Sequence, residues 1–289
     1  LKPFELELTD PTMSVGVPLG SGTFAGNRAV GSIALTVAAT SIGSRRQRVH
    51  EAGSLRVRFP NVSGRTLDAV IVNTAGGMTG GDRFDIDLDI GKGASLTVTT
   101  AAAEKIYRSL GPDTAIAVKL KVGDGGALAW LPQETILFDQ VRLRRSIDAE
   151  LHSGAELLLA EAIVFGRSAM GETVAQGHLT DRWRIRRDGK LILAETVRLD
   201  GKIADQLAQP ARTAGGVAIA TVLKIPGGDQ DLAAVRAMEN EFAGEVGVSA
   251  WNGLTMVRFV AKDGASLRRD LMTVLGLLRT APLPRLWLN

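Results

Sequence analysis

Strict alternation of apolar and polar side chains constrains this chain more than any other feature of its sequence. In Arg83–Ile90, Phe84, Ile86, Leu88 and Ile90 fall on one side of an extended backbone, and Arg83, Asp85, Asp87 and Asp89 fall on the other. Side chains alternate in this way only along a strand with one buried and one solvated face. The pattern recurs in Ile116, Val118, Leu120 and Val122, with Lys119 and Lys121 opposite. It recurs again in Val141, Leu143, Ile147, Ala149 and Leu151, with Arg142, Arg144, Ser146, Asp148 and Glu150 opposite. Further strands are expected over 30–39, 54–59, 67–73, 94–100, 155–164, 174–185, 190–199, 215–225 and 254–261. Glycine-rich turns separate them, and 33 glycines and 10 prolines favour short elements over long helices. Asp188-Gly189, between two such runs, reads as a hairpin with a type I′ turn.

Helical spacing is confined to the C-terminal third. Leu232, Val235, Met238 and Phe242 predict a helix over 231–245, capped by Asp229 or Asp231. Leu267, Leu271, Val274, Leu275 and Leu278 predict another over 266–280, with Ser266 as its N-cap and Pro282 and Pro284 beyond its end. A short helix is expected at 202–209. Many strands followed by late helices predict one mainly-β domain over 1–289 with a small helical segment at about 229–282.

Several classes of function are disfavoured by the sequence. With no cysteine there is no disulfide, thiolate ligand or cysteine nucleophile. The three histidines, His50, His152 and His178, are not at metal-ligand spacing. No Ser/His/Asp set or nucleophile-elbow pattern is present. The net charge of +3 comes from 34 basic against 31 acidic residues, so charge alone does not indicate a nucleic-acid partner. Arg45-Arg46-Gln47-Arg48, Arg142–Arg145 and Arg182–Arg187 read as solvated strand faces, since a nucleic-acid surface gains from interleaved aromatics and only Trp183 is on offer. No signal-peptide pattern or bilayer-spanning apolar stretch is visible, and a cytoplasmic address is expected.

Four stretches hold the candidate functional residues. Asn73–Asp82 is the most glycine-dense, but Gly81 is followed by Asp82 and a strand where a phosphate loop needs Gly-Lys-Ser/Thr and a helix. Thr99–Arg108 sets Glu104, Lys105, Tyr107 and Arg108 behind small residues. These could line a polar passage or a partner surface, or form a solvated ion pair; spacing does not separate the readings. Trp130–Asp139 places Glu134 and Asp139 in an apolar segment, where a carboxylate is costly unless paired. Phe165–Glu172 supplies Arg167 as a partner, together with Glu172.

The exact strings carry more than their spacing. NTAGGMTGGDRF at 73–84 and TTAAAEKIYRS at 99–109 resemble the two signature stretches of the UreD (UreH) family of urease accessory proteins. LPQETILFD at 131–139, FGRSAMGE at 165–172, DRWRIRRDGKLILAETVRL at 181–199 and the closing LPRLWLN at 283–289 are similar in order and approximate spacing. The resemblance runs from about residue 30 to the end. It implies an elongated, many-stranded β-helix-like or stacked-sheet body with a couple of helices. It also implies a non-enzymatic chaperone that docks on apo-urease with a UreF-type helical protein and a UreG-type GTPase and assists GTP-dependent nickel insertion. No intrinsic cofactor is implied; nickel is transient cargo. No tight nickel site, GTPase activity, nucleic-acid contact or membrane contact is expected of this chain.

A cation conduit must attract the ion without trapping it. Asp82, Glu104, Lys105, Tyr107, Glu134, Asp139, Arg167 and Glu172 are therefore the candidates for a nickel passage or recognition, with Asp82 and Glu104 foremost. Alternatively each carboxylate is tied to an arginine such as Arg83, Arg108 or Arg167. Arg279, Arg285 and Trp287 are the candidates for docking the UreF-type partner, unless Trp287 plugs the end of the β core. The rival functions are a carboxylate-dependent hydrolase or lyase, and a pure interaction scaffold without a metal path.

Overall fold

The computed structural model describes residues 28–60, 64–167 and 170–288. The first 27 residues of the expected domain lie outside it. Seventeen strands form two facing sheets among the described residues, and the chain passes repeatedly from one sheet to the other. The first sheet contains β1 (Val30–Thr40), β2 (Gly43–Gly53), β5 (Arg83–Ile90), β8 (Thr114–Val122), β11 (Val141–Leu151), β13 (Gly177–Arg187) and β14 (Lys190–Gly201). The second contains β3 (Leu55–Arg58), β4 (Leu67–Asn73), β6 (Ser95–Thr100), β9 (Ala127–Trp130), β12 (Glu156–Phe165), β15 (Ala218–Ile225), β16 (Glu245–Trp251) and β17 (Leu254–Ala261), with β7 (Glu104–Ile106) and β10 (Thr135–Leu137) forming a short branch beside β12.

The centre is a β-solenoid. Strands β1, β5, β8, β11 and β13 pair in parallel in one sheet, and β4, β6, β9 and β12 pair in parallel in the other. Arg83, Ala115, Arg144 and Thr180 occupy equivalent register positions, so successive coils are 32, 29 and 36 residues long. Their glycine turns stack: Gly93 N donates to Asp124 O at 3.0 Å, and Gly125 N to Gly154 O at 3.2 Å. A Cβ on Gly123 would lie 2.8 Å from Lys92 N, so the coils approach this closely only through glycine. Antiparallel strands close both ends. The β13–β14 hairpin turns at Asp188 and Gly189, with φ of 48° and 76°, as the sequence predicts.

The alternation matches the burial. Phe84, Ile86, Leu88 and Ile90 are buried with Val118, Leu120, Leu143 and Ile147 between the sheets. A second core lies on the outer face of the second sheet. There Leu158, Ala160, Val222 and Phe259 meet the stripe Leu267, Leu271, Val274, Leu275 and Leu278 of α3 (Gly264–Leu278). β12 is buried on both faces and therefore reads as an unbroken apolar run, except for Glu161.

Glu161 belongs to the feature the sequence reading placed wrongly. Arg145, counted with the solvated cluster Arg142–Arg145, is only 3% exposed. It points between the sheets in phase with Leu143 and Ile147. Its guanidinium meets Asp181 of the neighbouring strand (Nη2–Oδ2 2.6 Å), Glu161 across the interior, and the Thr135 hydroxyl at 3.3 Å. The indole N–H groups of Trp130 and Trp183 donate to Glu161 (2.8 Å) and Asp181 (3.2 Å). Burial pushes the Glu161 carboxyl up, against the pull of Arg145. Burial alone would lower the Arg145 guanidinium, but the two carboxylates more than offset it.

Other boundaries also shift. The expected helix 231–245 ends early, as α2 (Asp229–Arg236), and β16 begins at Glu245. Asp270 of α3 accepts the N–H groups of Ala243 (2.9 Å) and Gly244 (2.8 Å), which fixes that segment outside any helix. The N-cap of α3 is Asp263, which accepts from Ser266 N at 2.8 Å, rather than Ser266 itself. The short helix at 202–209 is present as α1 (Ile203–Leu207). Strands β2, β7, β9, β10 and β16 have no counterpart among the expected elements.

Removing one member of a buried ion network strands the others. Arg145→Met leaves Glu161 and Asp181 without their cation, and urea unfolding should show a loss of about 3–5 kcal/mol. Arg182→Met, which breaks a half-exposed pair with Asp148, should change stability by roughly 1 kcal/mol or less.

Candidate functional site

The Asn73–Asp82 loop leaves β4 and returns at β5. Asp82 sits at its end, 4% exposed, and both carboxylate oxygens are engaged by backbone. Oδ1 accepts from Ala29 N at 2.8 Å and Oδ2 from Thr79 N at 2.7 Å. The carboxylate therefore ties the loop to the start of β1. Arg83, named as its alternative partner, instead pairs with Asp85 at 2.7 Å. Gly77 has a φ of 144°, and a Cβ there would fall 2.5 Å from the Tyr107 ring, so glycine lets Tyr107 cover the loop. The Tyr107 hydroxyl donates to Gly76 O at 3.3 Å.

Tyr107 begins a second group. Its ring meets Phe138 edge-on at 4.8 Å between centroids, Arg167 lies 4.4 Å above the Phe138 ring, and Arg167 pairs with Glu172 at 2.6 Å. Asp139, next to Phe138, accepts from Gln176 N at 3.0 Å. Glu134 pairs with Arg268 at 2.8 Å, and the same guanidinium holds Gln133 Oε1 (2.7 Å) and Trp287 O (2.9 Å). Glu134, Ile136, Arg167, Asp263 and Arg268 line one cleft of about 510 Å³. The structure thus joins Glu134 and Arg167, and separately Tyr107, Arg167 and Glu172. Asp82 and Asp139 are each committed to backbone.

Glu104 differs from the others. It opens β7 and accepts from Asn73 Nδ2 at 2.9 Å; among the described residues no lysine or arginine lies within ion-pair distance of it. Burial pushes its carboxyl up to about 7, against smaller opposing effects of the Asn73 hydrogen bond, the Lys105 backbone N–H and the Lys105 charge. Lys105 itself is exposed. Glu104 is in register with Thr135, and Thr135 with Ile163. Residues in register share a face, so Glu104, Thr135 and Arg145 form a polar line along the solenoid interior that ends at Glu161 and Asp181. Asn73, Gln133, Arg268 and the buried ions Arg145, Glu161 and Asp181 were not among the sequence candidates. The signal for Arg145 and Asp181 was present: each falls at an inward position of its alternation.

The tail candidates separate. Trp287 is 1% exposed, packs in the second core and donates Nε1 to Leu131 O at 3.1 Å. It plugs the outer face of the second sheet, held by Arg268 stacked at 5.1 Å. Arg285 is exposed and borders a cavity of about 480 Å³ with Asp68, Thr97 and Thr99. Arg279 is half-buried; burial lowers its guanidinium below the ordinary value, while Asp68 opposes this.

A carboxyl raised by burial binds its proton more tightly in the folded chain than in the unfolded one. Stability from Glu104 is therefore greatest below its ordinary value of 4.5 and declines as pH rises toward about 7. Glu104→Gln removes that decline. In urea unfolding its advantage over the parent should grow between pH 5 and 7.5, up to about 3 kcal/mol, and pH-independent equality would refute the assignment. Asp82→Asn, with one acceptor oxygen instead of two, should cost about 1–3 kcal/mol near neutral pH.

The family model described as UreD urease accessory protein matches residues 29–288. A urease accessory protein UreD of Rhodopseudomonas palustris (strain ATCC BAA-98 / CGA009) is 58% identical over 269 residues, covering 93% of this chain and 96% of the relative. One from Bradyrhizobium diazoefficiens is 53% identical over 270 residues, covering 93% and 97%. A solenoid built on the very strings that carried the resemblance, matched by a family model over almost its whole described length, leads to one conclusion: the chain belongs to the UreD family of urease accessory proteins.

Proposed function

We propose that the chain acts in urease maturation, as a scaffold for a UreF-type protein and a UreG-type GTPase on apo-urease, and that it lends part of a polar route to nickel. The family supports the first part, since its members carry the name urease accessory protein. One feature supports the second: Glu104 is half-buried, unpaired with any cation among the described residues, and burial pushes its carboxyl up to about 7. Such a group attracts a divalent ion but exchanges it for a proton easily. That suits passage, in which each site must bind and also release. Nickel accepts oxygen and nitrogen ligands, and the described residues hold no cluster of three or more His, Asp or Glu that would trap it. A cytoplasmic address belongs to the same proposal; no described helix is long and apolar enough to cross a membrane.

A second reading, a scaffold with no metal path, draws on the other carboxylates. Asp82, Glu134, Asp139 and Glu172 each have a structural partner. The hydrolase reading gains nothing from them, since Asp82 spends both carboxylate oxygens, and Asp139 one, on backbone amides rather than converging as an acid and a base. For partner docking, Arg285 presents its side chain to solvent, whereas Trp287 serves by fixing the tail on which Arg285 stands.

The test is Glu104→Gln in a strain co-expressing urease and the accessory proteins. The complex should assemble on apo-urease as before in pull-downs, while nickel per urease active site falls on the order of tenfold, the scale on which groups around a metal act. Normal loading with an intact complex would remove Glu104 from any route and leave the scaffold reading.

A further inference from the structure

Both sheets end on one side in edge strands, β2 in the first sheet and β3 in the second. β2 pairs only with β1, and among the described residues no strand takes up the backbone N–H and C=O groups of its far edge. Its two ends are fastened. Ser44 N donates to Arg65 O at 2.7 Å, and the Glu51 carboxylate receives Val57 N and, at 3.2 Å, Arg58. Between them, Arg45–His50 is exposed along its whole length.

The charge on this edge is of one sign. Arg45, Arg46, Arg48, Arg56 and Arg65 have no carboxylate within ion-pair distance among the described residues, and only Arg58 is neutralised, by Glu51. Elsewhere on the first sheet, Arg83, Arg142 and Arg182 each have an aspartate. The guanidinium groups at the edge are held by neutral partners instead. Arg45 donates to Ser44 O at 3.0 Å, Arg56 to Gly53 O at 2.8 Å and Leu55 O at 2.7 Å, and Arg46 lies 4.7 Å above the Phe59 ring. A bulge between Thr36 and Val37 puts Arg46 and Val49 in register with inward Val37 and Leu35, and Arg45 and Arg48 with outward Ala38 and Thr36. An added strand would therefore meet positive charge on both of its faces.

We propose that the Arg45–His50 edge of β2 is a docking site for an extended acidic segment of a partner protein, which adds to the first sheet as a further strand. Main-chain hydrogen bonds to the open edge supply affinity, and the arginines select acidic side chains. The same charge repels a second copy of this edge. It also distinguishes a peptide from a nucleic acid: the aromatic beside the patch, Phe59, is covered by Arg46 and offers no face for base stacking. The proposal stands apart from the nickel route, because Glu104 and its neighbours are not part of this edge.

The probe is a fluorescent dodecapeptide of alternating glutamate and valine, mixed with the full chain and followed by anisotropy and by amide hydrogen exchange. Binding should weaken roughly tenfold or more in Arg45→Glu/Arg46→Glu/Arg48→Glu and less in the neutral Arg→Gln triple, both at exposed positions that leave the core untouched. Amide exchange within 45–50 should slow at saturating peptide in the parent chain. Three results would overturn the proposal. The first is binding without slowed exchange in 45–50, which is diffuse charge attraction. The second is displacement of the peptide by a single-stranded RNA of equal length at lower concentration. The third is slow exchange in 45–50 of the free chain that becomes fast when residues 1–27 are deleted, which would make the edge an internal joint.

Discussion

The guanidinium of Arg145 lies between two sheets that share no other fully buried charged link among the described residues; Arg258 and Glu195 also join them, but half-exposed. It reaches Asp181 beside it, Glu161 across from it and Thr135 in the short branch, while Trp130 and Trp183 satisfy the same carboxylates. Three successive coils and both sheets therefore share one hydrogen-bonded centre. A parallel solenoid needs such a fixed point. Its apolar rows of Val, Leu and Ile repeat from coil to coil, and sliding one strand by two residues would bury a similar set. Displacing Arg145 from its carboxylates carries a penalty that displacing a leucine does not. The glycine turns set how closely the coils stack, and the buried ions set their register.

That centre also gives the candidate site its character. Most of its ionisable groups are consumed in holding the fold: Asp82 knots a loop, Asp139 caps a crossing, Glu134 and Arg268 anchor the tail with Trp287, and Arg167 closes on Glu172. Glu104 shares the inner face with Thr135 but has, among the described residues, only Asn73 as a side-chain partner. A carboxyl pushed up to about 7, whose charge costs stability instead of supplying it, is one kept for another task. This partition separates the structural residues of the motifs from the candidate for metal handling, although both kinds occur in the same signature strings.

Much of this was legible in the sequence, for physical reasons. Strands with one face buried declare themselves, and Arg83–Ile90 and Val141–Leu151 fall where their alternation puts them. β2 was invisible because it is an edge with both faces wet, so Arg45–Arg48 shows no apolar period. β7 and β10, three residues each, are too short for any period and exist by non-local pairing. The expected helix 231–245 overran because Phe242 extends the stripe by one apparent turn, until Asp270 claims the next two amides; β16 begins where that expectation ended, an edge strand with no buried residue to mark a period. Among the site residues, the Asp82 motif was found but its carboxylate was assigned to a passage when its oxygens face backbone amides. Arg145 was visible in phase with Leu143 and Ile147, yet a charged residue at an inward position is easily read as part of the basic run around it.

The account stands on Glu104 being a half-buried carboxyl without a cation among the described residues, in contrast to its paired neighbours. The most direct measurement is the NMR titration of its side-chain carboxyl carbon in glutamate-labelled protein, assigned by the signal missing from Glu104→Gln. A midpoint near 7 is the predicted result. A midpoint at or below the ordinary 4.5 would show that Glu104 is solvated or paired, and would contradict the division of labour described for this fold.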